Sequence, residues 1–181
     1  MPKSEFTLPT GEKVTVIYGA KHPGKGTAYL NAVRMGPVDE NSDMAVEYLK
    51  MKTHWARQLA AQVKNEISDF DAVVSPPSSR PDDANAYRAA VLHHSNARDL
   101  TSNFSRRGKV KVGLNGTSLE QAIDEMVYTS DGTELDIKSL LIVDESIASG
   151  KTVAAILHRM QKAGLPKECK VTIVTWASVG P

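Results

Sequence analysis

The sequence predicts an α/β fold: a mostly parallel sheet flanked by helices. Three observations predict it. Strand-like and helix-like segments alternate along the chain, the order that yields a parallel sheet. Leu140-Leu-Ile-Val143 is wholly apolar, which suits a strand buried on both faces. That run ends in two adjacent acids, Asp144 and Glu145, and a short loop of small residues leads from them into a helical pattern. Ligands of open α/β sheets bind outside the carboxyl ends of the strands, so the site is expected there.

Each element has its own warrant. Lys13–Tyr18 is rich in β-branched residues and reads as a strand. Gly19–Gly26 reads as a glycine-rich, basic turn. Ser42 is placed to cap a long helix reaching about Ile67. Met44, Tyr48, Met51, Trp55, Leu59 and Val63 fall on one stripe of it at helical spacing. Ala72–Ser75 is a short apolar strand running into the turn Pro76-Pro-Ser-Ser-Arg80. Pro81 suits the first turn of a helix ending near Asn96. Arg106–Val112 alternates like an exposed strand. Capping-box spacing in Thr117–Gln121 predicts a helix over Leu119–Val127. Ser130–Thr133 is a turn. After the Leu140–Val143 strand, a helix over Thr152–Ala163 buries Val153, Ile156, Leu157 and Met160, and Gly164 with Pro166 ends it. Lys170–Trp176 is the last strand.

Composition sets the bounds. A chain of 181 residues fits one domain, with 1–68 as an N-terminal extension and long helix and 69–181 as the core. An apolar content of 41% is enough for a core. A formal charge of +1 gives no global electrostatic reason to expect nucleic acid or an anionic membrane. The single Cys169 leaves no internal disulfide and fits a reducing compartment. The first residues lack the apolar core of a signal peptide, and no run approaches the roughly 20 apolar residues of a membrane span. A cytoplasmic protein is expected.

The segment Leu140–Thr152 carries the chemistry. Ser146-Ile-Ala-Ser-Gly-Lys-Thr152 offers backbone amides, hydroxyls and an ammonium just before a helix N-terminus, a favourable place for phosphate. Beside it, two carboxylates suit hydroxyls or a divalent cation. Buried strand, acid pair, Ser-Gly-Lys-Thr loop and helix, in that order, resemble the ribose-phosphate signature of type I phosphoribosyltransferases. The resemblance implies a Rossmann-like type I phosphoribosyltransferase fold with a small N-terminal hood or extension. It implies that Asp144 and Glu145 face the ribose 2′- and 3′-hydroxyls of phosphoribosyl pyrophosphate (PRPP). It implies too that Ser146, Ile147, Ala148, Ser149, Gly150, Lys151 and Thr152 wrap the 5′-phosphate. Mg²⁺ is the implied cofactor, with Asp144 and Glu145 as its direct or indirect ligands. The partners would be PRPP and a small-molecule acceptor, a nitrogen nucleophile such as a nucleobase, in a homo-oligomer.

Two further segments support this reading. In that family the first core strand ends in a loop holding pyrophosphate, and Ser78, Ser79 and Arg80 stand in the corresponding place. The family also has a mobile loop between core strands that closes over the site. Here that stretch contains Arg106 and Arg107, candidates for pyrophosphate contacts. Two rivals stand beside the transferase. Gly19-Ala-Lys-His-Pro-Gly-Lys25-Gly-Thr27 satisfies P-loop spacing up to its lysine, which would make a nucleotide hydrolase or kinase. A non-catalytic PRPP-binding regulatory protein would keep the sugar-phosphate site without turnover. His93-His94 has no second ligand pair at metal spacing and reads as helix-end packing. Trp176 reads as core.

Overall fold

The computed structural model describes residues 3–21, 50, 53–54, 56–58, 60–61, 63–66, 69–77, 88–108 and 117–178. Their strands are β1 (Lys3–Thr7), β2 (Lys13–Lys21), β3 (Ala72–Val74), β4 (Arg98–Asp99), β5 (Phe104–Arg106), β6 (Met126–Tyr128), β7 (Ser139–Ile147) and β8 (Lys170–Ser178). Two α-helices have defined ends, α1 (Leu119–Glu125) and α2 (Lys151–Lys162). Six strands form one sheet in the order β1-β2-β8-β7-β3-β4. Only β1 is antiparallel to its neighbour; the other pairs are parallel. β5 and β6 make a separate antiparallel ribbon. The fold class is therefore the predicted one.

Strand alternation divides the core between the two faces of the sheet. On one face Val14, Val16, Leu140, Ile142 and Ile173 pack with α1, α2 and the β5–β6 ribbon, through Ala122, Val153, Ile156, Leu157, Met160, Phe104 and Met126. On the other, Ile17, Val73, Leu141, Val143, Val174 and Trp176 pack with Ala56, Val63 and Val91. The apolar run at 140–143 is buried on both faces because β7 is an inner strand with cover above and below.

Several boundaries differ from expectation for identifiable reasons. β7 does not stop at Val143: Asp144, Ser146 and Ile147 remain paired with Thr175, Ala177 and Ser178, so the acids lie inside the strand. β2 likewise runs through Gly19, Ala20 and Lys21, where a turn was expected, because β8 gives it a partner over that length. β1 was not foreseen. Lys3-Ser-Glu-Phe-Thr7 has few apolar residues and gains strand form only by pairing with Thr7↔Lys13 through Lys3↔Ile17. The helix starting at Leu119 ends at Glu125 rather than Val127, since Met126–Tyr128 pair with β5. Of the strand expected over Arg106–Val112, Arg106 ends β5 and 107–108 form a bend; residues 109–112 lie outside the described ones. The start of α1 is as predicted: the Ser118 hydroxyl accepts the Gln121 N–H at 3.1 Å, and the Gln121 side chain accepts the Ser118 N–H at 2.8 Å.

The long helix is described only in part. Residues 53–54, 56–58, 60–61 and 63 are helical and end in a 3₁₀ turn at Lys64–Glu66. Val63 of the predicted stripe is buried; Met44, Tyr48, Met51, Trp55 and Leu59 lie outside the described residues. The helix expected to reach Asn96 is helical over 88–92 and turns at His93 and His94. Those two rings stand exposed, 5.0 Å apart. Cys169 is half-buried, and burial pushes its thiol up to about 11, where little reactive thiolate forms. No helix among the described residues is long and apolar enough to cross a membrane.

Candidate functional site

The sheet register arranges the helix-covered face in rows. Val16, Ile173, Ile142 and Val74 form one row, each 0% exposed. Two residues further along the strands, Tyr18, Thr175 and Asp144 stand in register. Two further still, Ala20, Ala177 and Ser146 share a position. The face therefore changes from apolar to polar at the level of Asp144, on the carboxyl side of the sheet. Tyr18 and Thr175 are buried, Asp144 half-buried. Glu145 follows within β7, and its side chain is outside the described residues.

Arg106 is the sequence-predicted residue that the structure brings to this acid. It closes β5 opposite Met126 and is half-buried. Burial lowers the guanidinium pKa, while the negative charges of Asp144 and then Glu125 oppose that shift. A cation thus stands in the field of the motif's first acid. Arg107 goes elsewhere: with Tyr128, Arg159 and Lys162 it lines a groove of about 270 Å³.

The loop after β7 is shorter than the sequence implied. Ser146 and Ile147 are strand, Ala148 and Ser149 form an exposed bend, and Gly150 opens α2. Gly150 has φ of +71°, the left-handed region in which a side chain is strained. A methyl there would lie 2.7 Å from Phe6 Cε1 and 3.0 Å from Leu8 Cδ2. So glycine is required there by its own φ and because the β1 hairpin packs against the loop. The Lys151 ammonium donates to the Thr117 carbonyl at 2.6 Å, tying the start of α2 to the entry of α1. A phosphate contact would use its other two N–H groups. Thr152 is half-buried in the first turn of α2.

At the neighbouring strand end, Ser75 is 1% exposed just past β3. Its N–H donates to the Thr101 hydroxyl at 3.0 Å. Its own hydroxyl oxygen makes no hydrogen bond within the described residues. A buried hydroxyl left in that state is unusual. Ser78, Ser79 and Arg80, three and more residues on, lie outside the described residues. The structure also counts against the P-loop reading. Gly19–Lys21, the first three residues of that motif, are paired strand instead of a loop able to wrap phosphates. The remaining residues, through Thr27, lie outside the described ones.

Sequence reasoning missed Tyr18 and Thr175. Nothing in their spacing connects them to Asp144; only the register of three parallel strands does.

Fold and site together define an α/β protein in which strand, acid, loop and helix follow one another on the carboxyl side of a mostly parallel sheet. The chain is similar to two crystal structures of a hypoxanthine phosphoribosyltransferase from Staphylococcus aureus. Against the orthorhombic form it is 12% identical, covering 74% of this chain and 75% of that one with a TM-score of 0.45. Against the tetragonal form it is 15% identical, covering 70% of this chain and 62% of that one with a TM-score of 0.39. No family model matches the sequence. No curated protein matches it either.

Proposed function

We propose that this protein binds Mg²⁺–PRPP along the carboxyl side of the sheet. There it transfers the 5-phosphoribosyl group to a nitrogen nucleophile with release of pyrophosphate. The observation that carries this reading is the juxtaposition at β7. Asp144 stands in a polar row of the sheet, in the field of the Arg106 guanidinium, six residues before the glycine that opens α2.

Each part has a task. Asp144 and Glu145 accept the ribose hydroxyls, and their charge favours an oxocarbenium-like C1′ as the C1′–O bond to pyrophosphate breaks. Ser146–Thr152 hold the 5′-phosphate, with the amides at the start of α2 as donors. Ser78, Ser79, Arg80 and Arg106 take the leaving pyrophosphate, Arg106 by exchanging its neighbour Asp144 for the anion. Arg107 joins them only if its segment turns out of the groove beside Arg159. The buried Ser75 hydroxyl at the root of that turn fits an anion site alongside β3.

Mg²⁺ is bound by one or two carboxylates together with substrate phosphates, not by an all-protein cage. Among the described residues no group of three or more His, Cys, Asp or Glu gathers as a cage would. The motif acids fit the lighter requirement. When bound, the cation would offset the charge of the diphosphate and so ease its departure.

A PRPP-binding protein without turnover would use the same site and differ only in releasing no pyrophosphate. Calorimetry with Mg²⁺–PRPP against Mg²⁺–ATP tests the proposal. Binding of the first and not the second is expected. Folded protein that ignores Mg²⁺–PRPP refutes both PRPP readings, and binding without pyrophosphate release with any nucleobase selects the regulatory one. Binding of Mg²⁺–ATP lost on replacing Lys25 would restore the P-loop rival.

A further inference from the structure

A second basic place lies at the far end of α2. Lys162 ends the helix that Lys151 begins, about 16 Å further along its axis at 1.5 Å per residue. Arg159 and Lys162 from the last turn of α2, and Arg107 from just past β5, line the groove of about 270 Å³, with Val127, Tyr128 and Ala163 in its walls. Three cations line it and no acid does. Glu125, beside the ribbon, instead gives a carboxylate oxygen to the Gly108 N–H at 3.0 Å. Among the described residues Arg107 and Lys162 make no ion pair. Arg159 Nε and Nη2 donate to the Ile123 carbonyl at 3.1 and 2.6 Å, which leaves the other N–H groups of its guanidinium for another acceptor.

Cations in the last turn of a helix suit the partial negative charge there. In α2 the main chain already takes up those carbonyls: the Ala163 N–H donates to Arg159 and Met160, Gly164 to Gln161, and Leu165 to Met160. Arg107 belongs to another element, so the helix end does not explain it. Like charges around one groove repel, and an anion between them relieves the repulsion. A second observation points the same way. Tyr128, which lines the groove, carries a buried hydroxyl with no hydrogen bond among the described residues. Such a group is unusual, and a bound oxygen acceptor, or the water it brings, would complete it.

We propose that this groove is a second anion site, which takes the phosphate of a small phosphate ester. Its oxygens share the Arg107 guanidinium, the remaining Arg159 N–H groups and the Lys162 ammonium. The volume is below the roughly 300–1,000 Å³ of sites that enclose a drug-sized ligand. A mononucleotide or a sugar phosphate therefore seats its phosphate here and rests the remainder against the apolar wall. The site is separate from the loop that opens α2, and it does not depend on the function proposed above.

The test is a methyl NMR titration of the full chain with inorganic phosphate, AMP, ribose 5-phosphate and adenosine. The Val127 and Ala163 methyls report the groove, and the Ile147 methyls report the loop after β7. Val127 and Ala163 should move with phosphate and with both esters, and stay still with adenosine. The ester that moves them at the lower concentration identifies the ligand class. Lys162 is exposed, so its variants are expected to fold. Lys162→Glu should weaken the groove response roughly tenfold or more, the loss of one hydrogen bond to a charged group. It should leave any Ile147 response unchanged, and Lys162→Arg should keep the groove response. Groove methyls that ignore phosphate and both esters overturn the inference. So does a groove response that survives Lys162→Glu undiminished, or one that adenosine reproduces. Ile147 methyls that ignore every ligand count against the function proposed above, while the groove methyls still decide this site.

Discussion

The two ends of the sheet treat their acids differently. At the amino end, Asp71 is exposed to solvent yet thoroughly engaged. Its carboxylate accepts the Lys138 N–H at 2.8 Å, the Ser139 N–H at 2.9 Å and the Ser139 hydroxyl at 3.1 Å. Its main chain bonds to Ser139 and Arg98, so one residue fixes the starts of β3, β4 and β7. Around that end Lys13 pairs with Glu5 at 2.7 Å, and Gln161 donates to Glu12 at 2.8 Å. At the other end Asp144 has the Arg106 guanidinium in its field, and the Ser75 hydroxyl nearby makes no hydrogen bond among the described residues. The amino end satisfies its polar groups internally. At the carboxyl end the Ser75 hydroxyl has capacity left over among the described residues. Where a protein leaves such capacity is a better guide to function than where it has charge.

Four substitutions can break or sharpen that contrast. The largest effect is expected for Asp144→Asn with Glu145→Gln: turnover should fall by on the order of a hundredfold or more. The thermal midpoint should stay near the wild-type value, since the amides keep the shape of the strand. A large fall in the midpoint would mean that these acids serve the fold, as Asp71 does.

Gly150→Ala comes next. Left-handed φ and the contact with Phe6 should together cost about 2 kcal/mol or more in denaturant unfolding. Trimming Phe6 to Leu in the same protein should recover part of that loss, and no recovery would remove the packing explanation. Ser118→Ala dismantles the capping box of α1 and should cost about 1 kcal/mol, read by the same unfolding curves.

The smallest effect belongs to Asp71→Asn. The Lys138 N–H, then the Ser139 N–H and the Ser139 hydroxyl, hold the Asp71 carboxyl below its ordinary 3.8. A group whose folded pKa is depressed stabilises the fold above its unfolded pKa, and that contribution fades as pH falls through the folded value. The wild type should therefore lose stability below about pH 4, and the asparagine variant should lose less over the same acid range. Identical pH profiles of the thermal midpoint would show that the staple is neutral. Activity at neutral pH should not change, because Asp71 lies at the end of the sheet away from Asp144.

Much of this was legible in the chain. The inner strand at 140–143, the capping box at Ser118 and Gln121 and the burial of Val153, Ile156, Leu157 and Met160 follow from local pattern, because each element carries its own signal. What escaped depends on partners distant in sequence. Lys3–Thr7 becomes a strand only beside Lys13–Ile17, and β7 continues past its apolar run only because β8 runs beside it. The site divides in the same way. Asp144, Gly150 and Arg106 could be named from sequence, whereas Thr175 and Tyr18 are joined to Asp144 by register, which spacing does not encode. The role of Gly150 was half visible: its positive φ suits a tight loop, but Phe6 is almost the whole chain away.

That contact between Phe6 and Gly150 has a consequence for the birth of the protein. During synthesis the β1–β2 hairpin finds neither its sheet neighbour β8 nor the glycine it leans on until residues 150–178 have been made. Closing a sheet through partners so far apart is slow, and until then the free edge of β2 is open to pairing with other chains. Fragments that stop short of Lys170 should therefore aggregate where the full chain stays in solution, however complete their loop and acids are.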